Sequence, residues 1–182
     1  MPADEFVDVV DELDSVIGVA RLRTCLEKGL LHRAIAVLVL RESGAVLLQQ
    51  RSKRDAWHPG RWTLSCTGHV KKGESYQAAA KRELREELGL QANIKMFSKI
   101  RIPTLRSRGL TEREWVTLFT STSRAAVAVD PLELERVEEV SVGRLRRMMR
   151  GRRLTSDAKI LLNLFLNGSS SSGSRHNHRT SL

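Results

Sequence analysis

The stretch GHVKKGESYQAAAKRELREELGL, from Gly68 to Leu90, carries the most informative pattern in the chain. Ser75 is a suitable N-cap, the three alanines that follow favour a helix, and Gly89 is a suitable C-terminal stop. This pattern predicts a loop that leads into a helix. The helix is crowded with carboxylates, although the net charge of the whole chain is +10.

The spacing of the carboxylates places three of them on one face of the predicted helix. Glu83, Glu86 and Glu87 stand at i, i+3 and i+4, so they share one face, where like charges destabilise a helix. A solvated face is the simple interpretation. A divalent cation would remove the repulsion, and carboxylate oxygens suit Mg²⁺ or Mn²⁺ together with substrate phosphates. The spacing therefore favours a metal site.

Composition indicates one globular domain over residues 1–166, followed by a low-complexity tail, 167–182, that we expect to be disordered. No apolar run approaches the roughly 20 residues of a membrane span, and the acidic N-terminus does not resemble a secretory signal. Cys25 and Cys66 are too few for a disulfide framework, which favours the cytoplasm. The basic excess favours polyanionic ligands.

Strand and helix patterns alternate on both sides of the quoted stretch. Val, Ile and Leu dominate Ile35–Leu40 and Ala45–Gln50, which predict a hairpin around the turn RESG. An N-terminal strand pair around Glu12–Ser15, further strands in ANIKMFSKIRI and EWVTLFTSTS, and two C-terminal helices complete the pattern. Ser156 is the expected cap of the last helix.

The quoted stretch resembles the complete Nudix box. The matching residues are Gly68, Glu74, Arg82, Glu83, Leu84, Glu86, Glu87, Gly89 and Leu90. The resemblance implies an α/β/α sandwich with a mixed sheet. It also implies a Mg²⁺- or Mn²⁺-dependent pyrophosphohydrolase acting on a nucleoside diphosphate linked to another group, often as a homodimer.

The resemblance also assigns roles within the box. Glu83, Glu86 and Glu87 would be the metal ligands, Arg82 would orient a glutamate by an ion pair, and Glu74 would support the junction of loop and helix. The metal would neutralise the diphosphate and lower the pKa of a water molecule, which a carboxylate could then deprotonate.

Beyond the box, GLLHRAIAVLVL, LLQQRSK, PGRWTLSCTGHVKKGES and TEREWVTLF resemble the isopentenyl-diphosphate isomerase branch of the superfamily, roughly from Asp4 to Val142. Those isomerases use a cysteine two residues before a histidine as catalytic acid or base. Here that position is Thr67, before Gly68 and His69. Cys66 comes one residue early and would point to the opposite face of a strand.

The isomerase metal site is matched at four of its five positions, by His32, His69, Glu112 and Glu114, while the fifth falls near Cys25. For His69, a metal or substrate role and a structural role both stay open. His32 is expected to be structural, because its partner histidine is absent. Glu114 either completes a metal site or acts as a base, with a solvated edge strand as the alternative.

Basic residues flank the loop before the box and suit phosphate oxygens. Arg51 best matches the diphosphate-binding arginine of the isomerases. Lys53, Arg61 and His69 are the other predicted substrate-binding residues, although solvated loop charges are the simpler interpretation for the lysine and Arg61. Trp57 and Trp62 are candidates for stacking on a base or a prenyl chain, with a core role equally open for Trp62.

Three functions compete. A complete box without the isomerase cysteine favours hydrolysis of a small-molecule diphosphate, with Glu83, Glu86, Arg82 and Glu114 as catalytic residues. An isomerase would need Cys66 to replace the missing group. A non-catalytic module that binds a nucleotide or RNA through the arginines of 144–153 ranks last, because no box position is altered and no aromatic platform accompanies the arginines.

Overall fold

The computed structural model describes residues 5–55, 58–129 and 134–172. The strands are β1 (Phe6–Val10), β2 (Val16–Arg21), β3 (His32–Leu40), β4 (Val46–Arg51), β5 (Trp62–Thr63), β6 (Cys66–His69), β7 (Ile94–Arg101), β8 (Leu105–Ser107), β9 (Leu110–Glu112), β10 (Glu114–Thr122) and β11 (Leu134–Val140). The helices are α1 (Leu22–Lys28), α2 (Tyr76–Leu88), α3 (Val142–Arg150) and α4 (Ser156–Ser172).

Nine of the described strands form one mixed sheet, and β8 and β9 form a separate pair. β10 lies between β3, to which it is parallel, and β7, to which it is antiparallel. The predicted hairpin of β3 and β4 exists, but its strands pair only at Leu40 and Val46. Further along, β6 pairs with β3 and β5 pairs with β4. The two strands therefore diverge, and this opening holds the site described below.

Each face of the sheet is covered by helices, which confirms the predicted mixed α/β fold. Leu38 and Leu48 pack with Leu145 of α3 and Leu161 of α4 in one buried cluster. The opposite faces of the same strands contribute a second cluster. Its members include Val37, Leu47 and, from α2, Ala79, Ala80, Leu84 and Leu88. Successive side chains of β3 and β4 thus point to opposite faces of the sheet and contribute to two hydrophobic cores, as expected for a central sheet.

The helix of the quoted stretch has the predicted caps. The Ser75 hydroxyl accepts a hydrogen bond from the Ala78 amide at 3.1 Å, and Gly89 adopts φ 64° at the C-terminal end.

The last helix differs from the sequence expectation. Thr155, and not Ser156, provides the cap, since its hydroxyl accepts from the Ala158 amide at 3.4 Å. α4 continues to Ser172, past the predicted start of the tail at 167, and residues 173–182 lie outside the described range. No described helix is long and apolar enough to cross a lipid bilayer.

The carboxylate of Asp14 connects the N-terminal hairpin to β3, α2 and β7. Asp14, at φ 62° in the turn between β1 and β2, accepts hydrogen bonds from Arg33 Nε at 2.6 Å and the Tyr76 hydroxyl at 3.0 Å, and pairs with Lys99. Burial raises the pKa of Asp14, but these donors outweigh it and lower the pKa below its usual value.

We expect Asp14→Asn to cost about 2 kcal/mol of unfolding free energy at neutral pH, because the partly buried Arg33 and the exposed Lys99 both lose their anion. Since the folded-state pKa of Asp14 is lowered, its contribution is present above the unfolded pKa and is lost as the pH falls through the folded value. Urea unfolding from pH 7 to pH 2.5 would measure both effects. If the unfolding free energy of Asp14→Asn depended on pH in the same way as that of wild type, this role of Asp14 would be contradicted.

Candidate active site

A cavity of about 340 Å³ lies where β3 and β4 diverge. α2 contributes Arg82 and the three glutamates of the predicted metal site, β6 contributes Thr67, Gly68 and His69, and β4 contributes Gln49 and Arg51. The strand that starts at Glu114 and the first turns of α4 close it. Residues from distant parts of the sequence therefore face one enclosed space.

Arg82 organises the carboxylates of the box. Its guanidinium contacts both oxygens of Glu74 at 3.0 Å, Glu83 at 2.6 Å and Glu86 at 3.1 Å. It also donates to the His69 carbonyl at 3.1 Å. One cation thus joins the loop, the helix and β6, and a bidentate guanidinium fixes direction as well as charge.

Glu83 is held between Arg82 and the backbone of Gly68. A Cβ atom at Gly68 would lie 2.7 Å from Glu83 Cγ and would overlap the carboxyl group, so only glycine leaves this space. Burial raises the pKa of Glu83 to about 7, since it outweighs the ion pair with Arg82, and repulsion from Glu86 adds to the effect. An electropositive ligand beside this carboxyl would relieve the cost of its charge.

A second group of ligand atoms converges more closely than the three box glutamates. His32, His69 and Glu114 offer atoms that all lie within 4.8 Å of one another, and they form the one such group found among the described residues. The His32 Nε2 and His69 Nε2 atoms lie 3.5 Å and 3.3 Å from Glu114 Oε1. The metal-ligand role predicted for Glu83, Glu86 and Glu87 stays a prediction.

The chemistry of this second group fits a cation. His32 Nδ1 donates to the Leu30 carbonyl at 2.9 Å, so in the neutral ring Nε2 presents a lone pair towards Glu114. This Nε2 is buried and has no hydrogen-bond partner among the described residues. Burial raises the pKa of Glu114, but hydrogen bonds and positive charge from the two histidines, when these carry a proton at Nε2, more than offset it and lower the pKa. His32, expected to be structural, therefore belongs to a candidate metal site.

Glu114 does not lie on a solvated edge strand. It begins β10, which pairs with strands on both sides, and the residue is buried. Glu112 ends β9 and also lines the cavity. Cys25, near the unmatched fifth ligand position, is buried in a separate cluster with Val7, Leu22 and Leu26.

Thr67, and not Cys66, faces the cavity. Cys66 is fully buried in the core beneath α2. Burial raises the pKa of its thiol well above the usual value, and the charges of Glu87 and Glu83 raise it further. The thiol is therefore protonated and points away from the space that a substrate would enter, as the alternation along a strand requires.

The predicted substrate-binding residues divide into two groups. Arg51 and His69 line the cavity, and Arg51 donates to Asp55 at 2.6 Å. Lys53 is exposed outside the lining, and Arg61 instead donates to the Arg152 carbonyl at 2.7 Å. Neither Lys53 nor Arg61 lines the cavity, so the structure does not bring these two residues to it.

The two tryptophans proposed for stacking do not provide evidence for that role. Trp62 is buried in the core cluster formed with α3 and α4, with the Arg136 guanidinium 5.1 Å from its ring centre. Trp57 lies outside the described residues.

Several cavity residues were missed by the sequence analysis. Gln49, Asp55, His58 and Asp157 all line it. The Asp55 carboxylate accepts from the His58 amide at 2.7 Å, which shapes the loop after β4. Gln49 lies in the quoted segment LLQQRSK, but no role was assigned to it there, and the other three residues belong to no quoted motif. The divergence of β3 from β4 brings all four to the site.

Comparisons with known proteins agree with this geometry. A family model described as NUDIX domain matches residues 30–164, so the chain belongs to the Nudix family. The protein from Deinococcus radiodurans whose crystal structure is known has the same fold, with a TM-score of 0.73 at 22% identity over 87% of this chain and 98% of that one.

The relatives of this chain carry two kinds of name. Isopentenyl-diphosphate Delta-isomerase 2 of Photorhabdus laumondii is 37% identical over 64% of this chain and 66% of its own length, just under two thirds. An uncharacterized Nudix hydrolase of Yersinia pestis is 30% identical over 73% of this chain and 71% of its own. The chain is similar to both kinds of protein.

Proposed function

We propose that this protein is a Mg²⁺- or Mn²⁺-dependent hydrolase that cleaves the diphosphate linkage of a small organic molecule. The observation that carries the proposal is the combination at β6 and α2: the three box carboxylates of the helix, Glu83, Glu86 and Glu87, line the cavity, and threonine occupies the position of the isomerase cysteine. Hydrolysis needs a water-activating carboxylate and cationic neutralisation, and both are available in the cavity without a thiol.

The cavity residues have three roles in this proposal: metal binding, orientation of carboxylates and phosphate binding. Glu83, Glu86 and Glu87, with His32, His69 and Glu114 as a second set, would hold divalent cations, which neutralise phosphate charge and acidify water when bound. Arg82 orients Glu83 and Glu86. Arg51 donates to the diphosphate oxygens from the cavity wall.

Glu86 is the best placed general base, because its side chain is 50% exposed while that of Glu83 is 12% exposed. It takes a proton from water as the water oxygen bonds to one phosphorus atom. The bond from that phosphorus to the bridging oxygen breaks, and the bridging oxygen leaves with the other phosphoryl group.

The assay that tests the proposal measures phosphate or monophosphate release from a panel of nucleoside, sugar and prenyl diphosphates with Mg²⁺ or Mn²⁺. We expect turnover that EDTA abolishes and added metal restores. Absence of release across the panel, from protein shown to be folded by circular dichroism, would contradict the proposal.

Isopentenyl-diphosphate isomerisation is the second candidate, favoured by the convergence of His32, His69 and Glu114 and by the names of the relatives. It requires groups that add and remove protons at carbon. The hydroxyl of Thr67 does not titrate near neutral pH, and the Cys66 thiol is turned into the core, so we rank this reaction below hydrolysis.

Replacing the Cys66 thiol distinguishes the hydrolase from the isomerase. Cys66→Ser keeps a hydrogen-bond donor beside Glu87, and we expect it to change kcat/KM for hydrolysis by less than about threefold. Cys25→Ser is the matched control for a buried thiol away from the cavity. Proton exchange into isopentenyl diphosphate that disappears in Cys66→Ser would instead support the isomerase.

The histidine group makes a separate prediction about metal binding. We expect His69→Ala to weaken Mn²⁺ binding by about 10- to 100-fold, because one of three converging ligands is lost. Isothermal titration calorimetry of the metal alone measures this. His58→Ala is the control, since that histidine lines the same cavity outside the group. Equal Mn²⁺ affinity in wild type and His69→Ala would contradict the assignment.

A further inference from the structure

One wall of the cavity carries buried polar atoms that the fold leaves unsatisfied. Gln49 Oε1, Arg51 Nε and Asp157 Oδ1 are each buried and have no hydrogen-bond partner among the described residues. All three residues line the cavity, and the Gln49 residue is only 1% exposed. A buried acceptor or donor without a partner costs about 1–3 kcal/mol, so three in one wall indicate a surface that a polar ligand would satisfy.

These atoms belong to one continuous surface. Gln49 and Arg51 alternate with Gln50 on β4 and so share a face. Gln49 pairs with Thr63 of β5, whose hydroxyl lies 3.4 Å from that of Thr155 at the start of α4. Asp157 follows in the first turn of α4 and interacts electrostatically with Arg51. The wall thus extends from the predicted diphosphate-binding arginine towards α4.

The chemical character of this wall limits what can occupy it. Gln49 Oε1 and Asp157 Oδ1 accept hydrogen bonds, so their partners must be donors. A hydroxyl or amino group supplies such a donor. A hydrocarbon chain against the same wall would exclude water and leave both acceptors unpaired, which is the costly arrangement that gives polar sites their selectivity.

We propose that Gln49 and Asp157 determine specificity: they bind hydroxyl or amino groups of the moiety attached to the diphosphate and so select against a prenyl diphosphate. This inference rests on the proposed function for the diphosphate itself. It adds the two residues that select the attached group.

Three small diphosphates show whether the hydrogen-bond donor is a sugar hydroxyl or an amino group of a base. Ribose 5-diphosphate has hydroxyl groups without a base, 2′,3′-dideoxyadenosine diphosphate has an amino group without sugar hydroxyls, and butyl diphosphate has neither. We expect kcat/KM of wild type to favour one or both of the first two over butyl diphosphate by about 10²-fold or more. The compound that is favoured identifies the donor.

The variants Asp157→Leu and Gln49→Met should each reduce this preference by about tenfold or more, because each removes one acceptor. Asn163→Leu is the matched control: Asn163 is exposed on the same helix as Asp157, and the preference should stay at the wild-type value. A preference that neither cavity variant changes, or equal use of all three compounds by wild type, would overturn the inference.

Binding distinguishes failure of this inference from failure of the proposed function. Affinities for the same three compounds are measured by calorimetry with Ca²⁺. Selective binding that depends on Asp157 and Gln49, without any hydrolysis under Mg²⁺, would overturn the hydrolase proposal and support the polar subsite. Equal affinities for the three compounds would overturn the subsite, whatever the turnover.

Discussion

Replacing Glu86 by glutamine should lower kcat for diphosphate hydrolysis by about 10³-fold or more, because the change removes a proton acceptor and an anionic metal ligand together. Glutamine is nearly isosteric and cannot take a proton from water. The carboxylate is half exposed, so its ion pair with Arg82 at 3.1 Å contributes little to stability. We therefore expect a folded and almost inactive protein.

Glu27 provides the control for this experiment. It pairs with Arg23 at 2.8 Å in the same i, i+4 relationship, on α1, and its side chain is 46% exposed. Glu27→Gln removes an equivalent surface ion pair, and kcat should stay at the wild-type value. Wild-type turnover in Glu86→Gln would contradict the mechanism in which Glu86 is the general base.

Gly68→Ala should lower kcat about 100-fold with little change in melting temperature, because the added methyl group displaces the carboxylate of Glu83 and not the backbone. The obstructing atoms are the end of a flexible side chain, so the fold can adjust by moving that side chain. Its contact with Arg82 at 2.6 Å would then be lost. Thermal unfolding together with steady-state kinetics measures both consequences.

Gly143 provides the control for Gly68→Ala. An added Cβ there would meet no described atom within 4 Å, and the residue lies inside α3. Gly143→Ala should leave kcat unchanged and stabilise the protein by about 0.5–1 kcal/mol through helix propensity. A loss of activity in Gly143→Ala equal to that in Gly68→Ala would show that the effect at Gly68 is not specific to Glu83.

The elements with strong local signals were predictable from the sequence. α2 has its cap at Ser75, its stop at Gly89 and a helical spacing of carboxylates, and all of these are local properties. The strands around the turn at Glu12–Ser15 were equally clear. α1 was missed because it is short and begins after Arg21, whose side chain provides no cap, and β11 was missed because it lacks a run of apolar residues.

The candidate site was predictable only in part, since much of it depends on tertiary structure. The parallel pairing of His32 with Glu114 joins residues far apart in sequence, and this pairing turns an expected structural histidine into a candidate ligand. The divergence of β3 from β4 brings Gln49 and Asp157 to one wall. Neither event leaves a periodic signal in the sequence.

Oxygen-isotope transfer tests the central claim most directly. The protein is incubated with Mg²⁺, a ribose-containing diphosphate and isopentenyl diphosphate in ¹⁸O-water, and products are identified by mass spectrometry. The expected result is one ¹⁸O atom in a phosphate product of each cleaved molecule, with no dimethylallyl diphosphate. Formation of dimethylallyl diphosphate without ¹⁸O in any phosphate product would contradict the account.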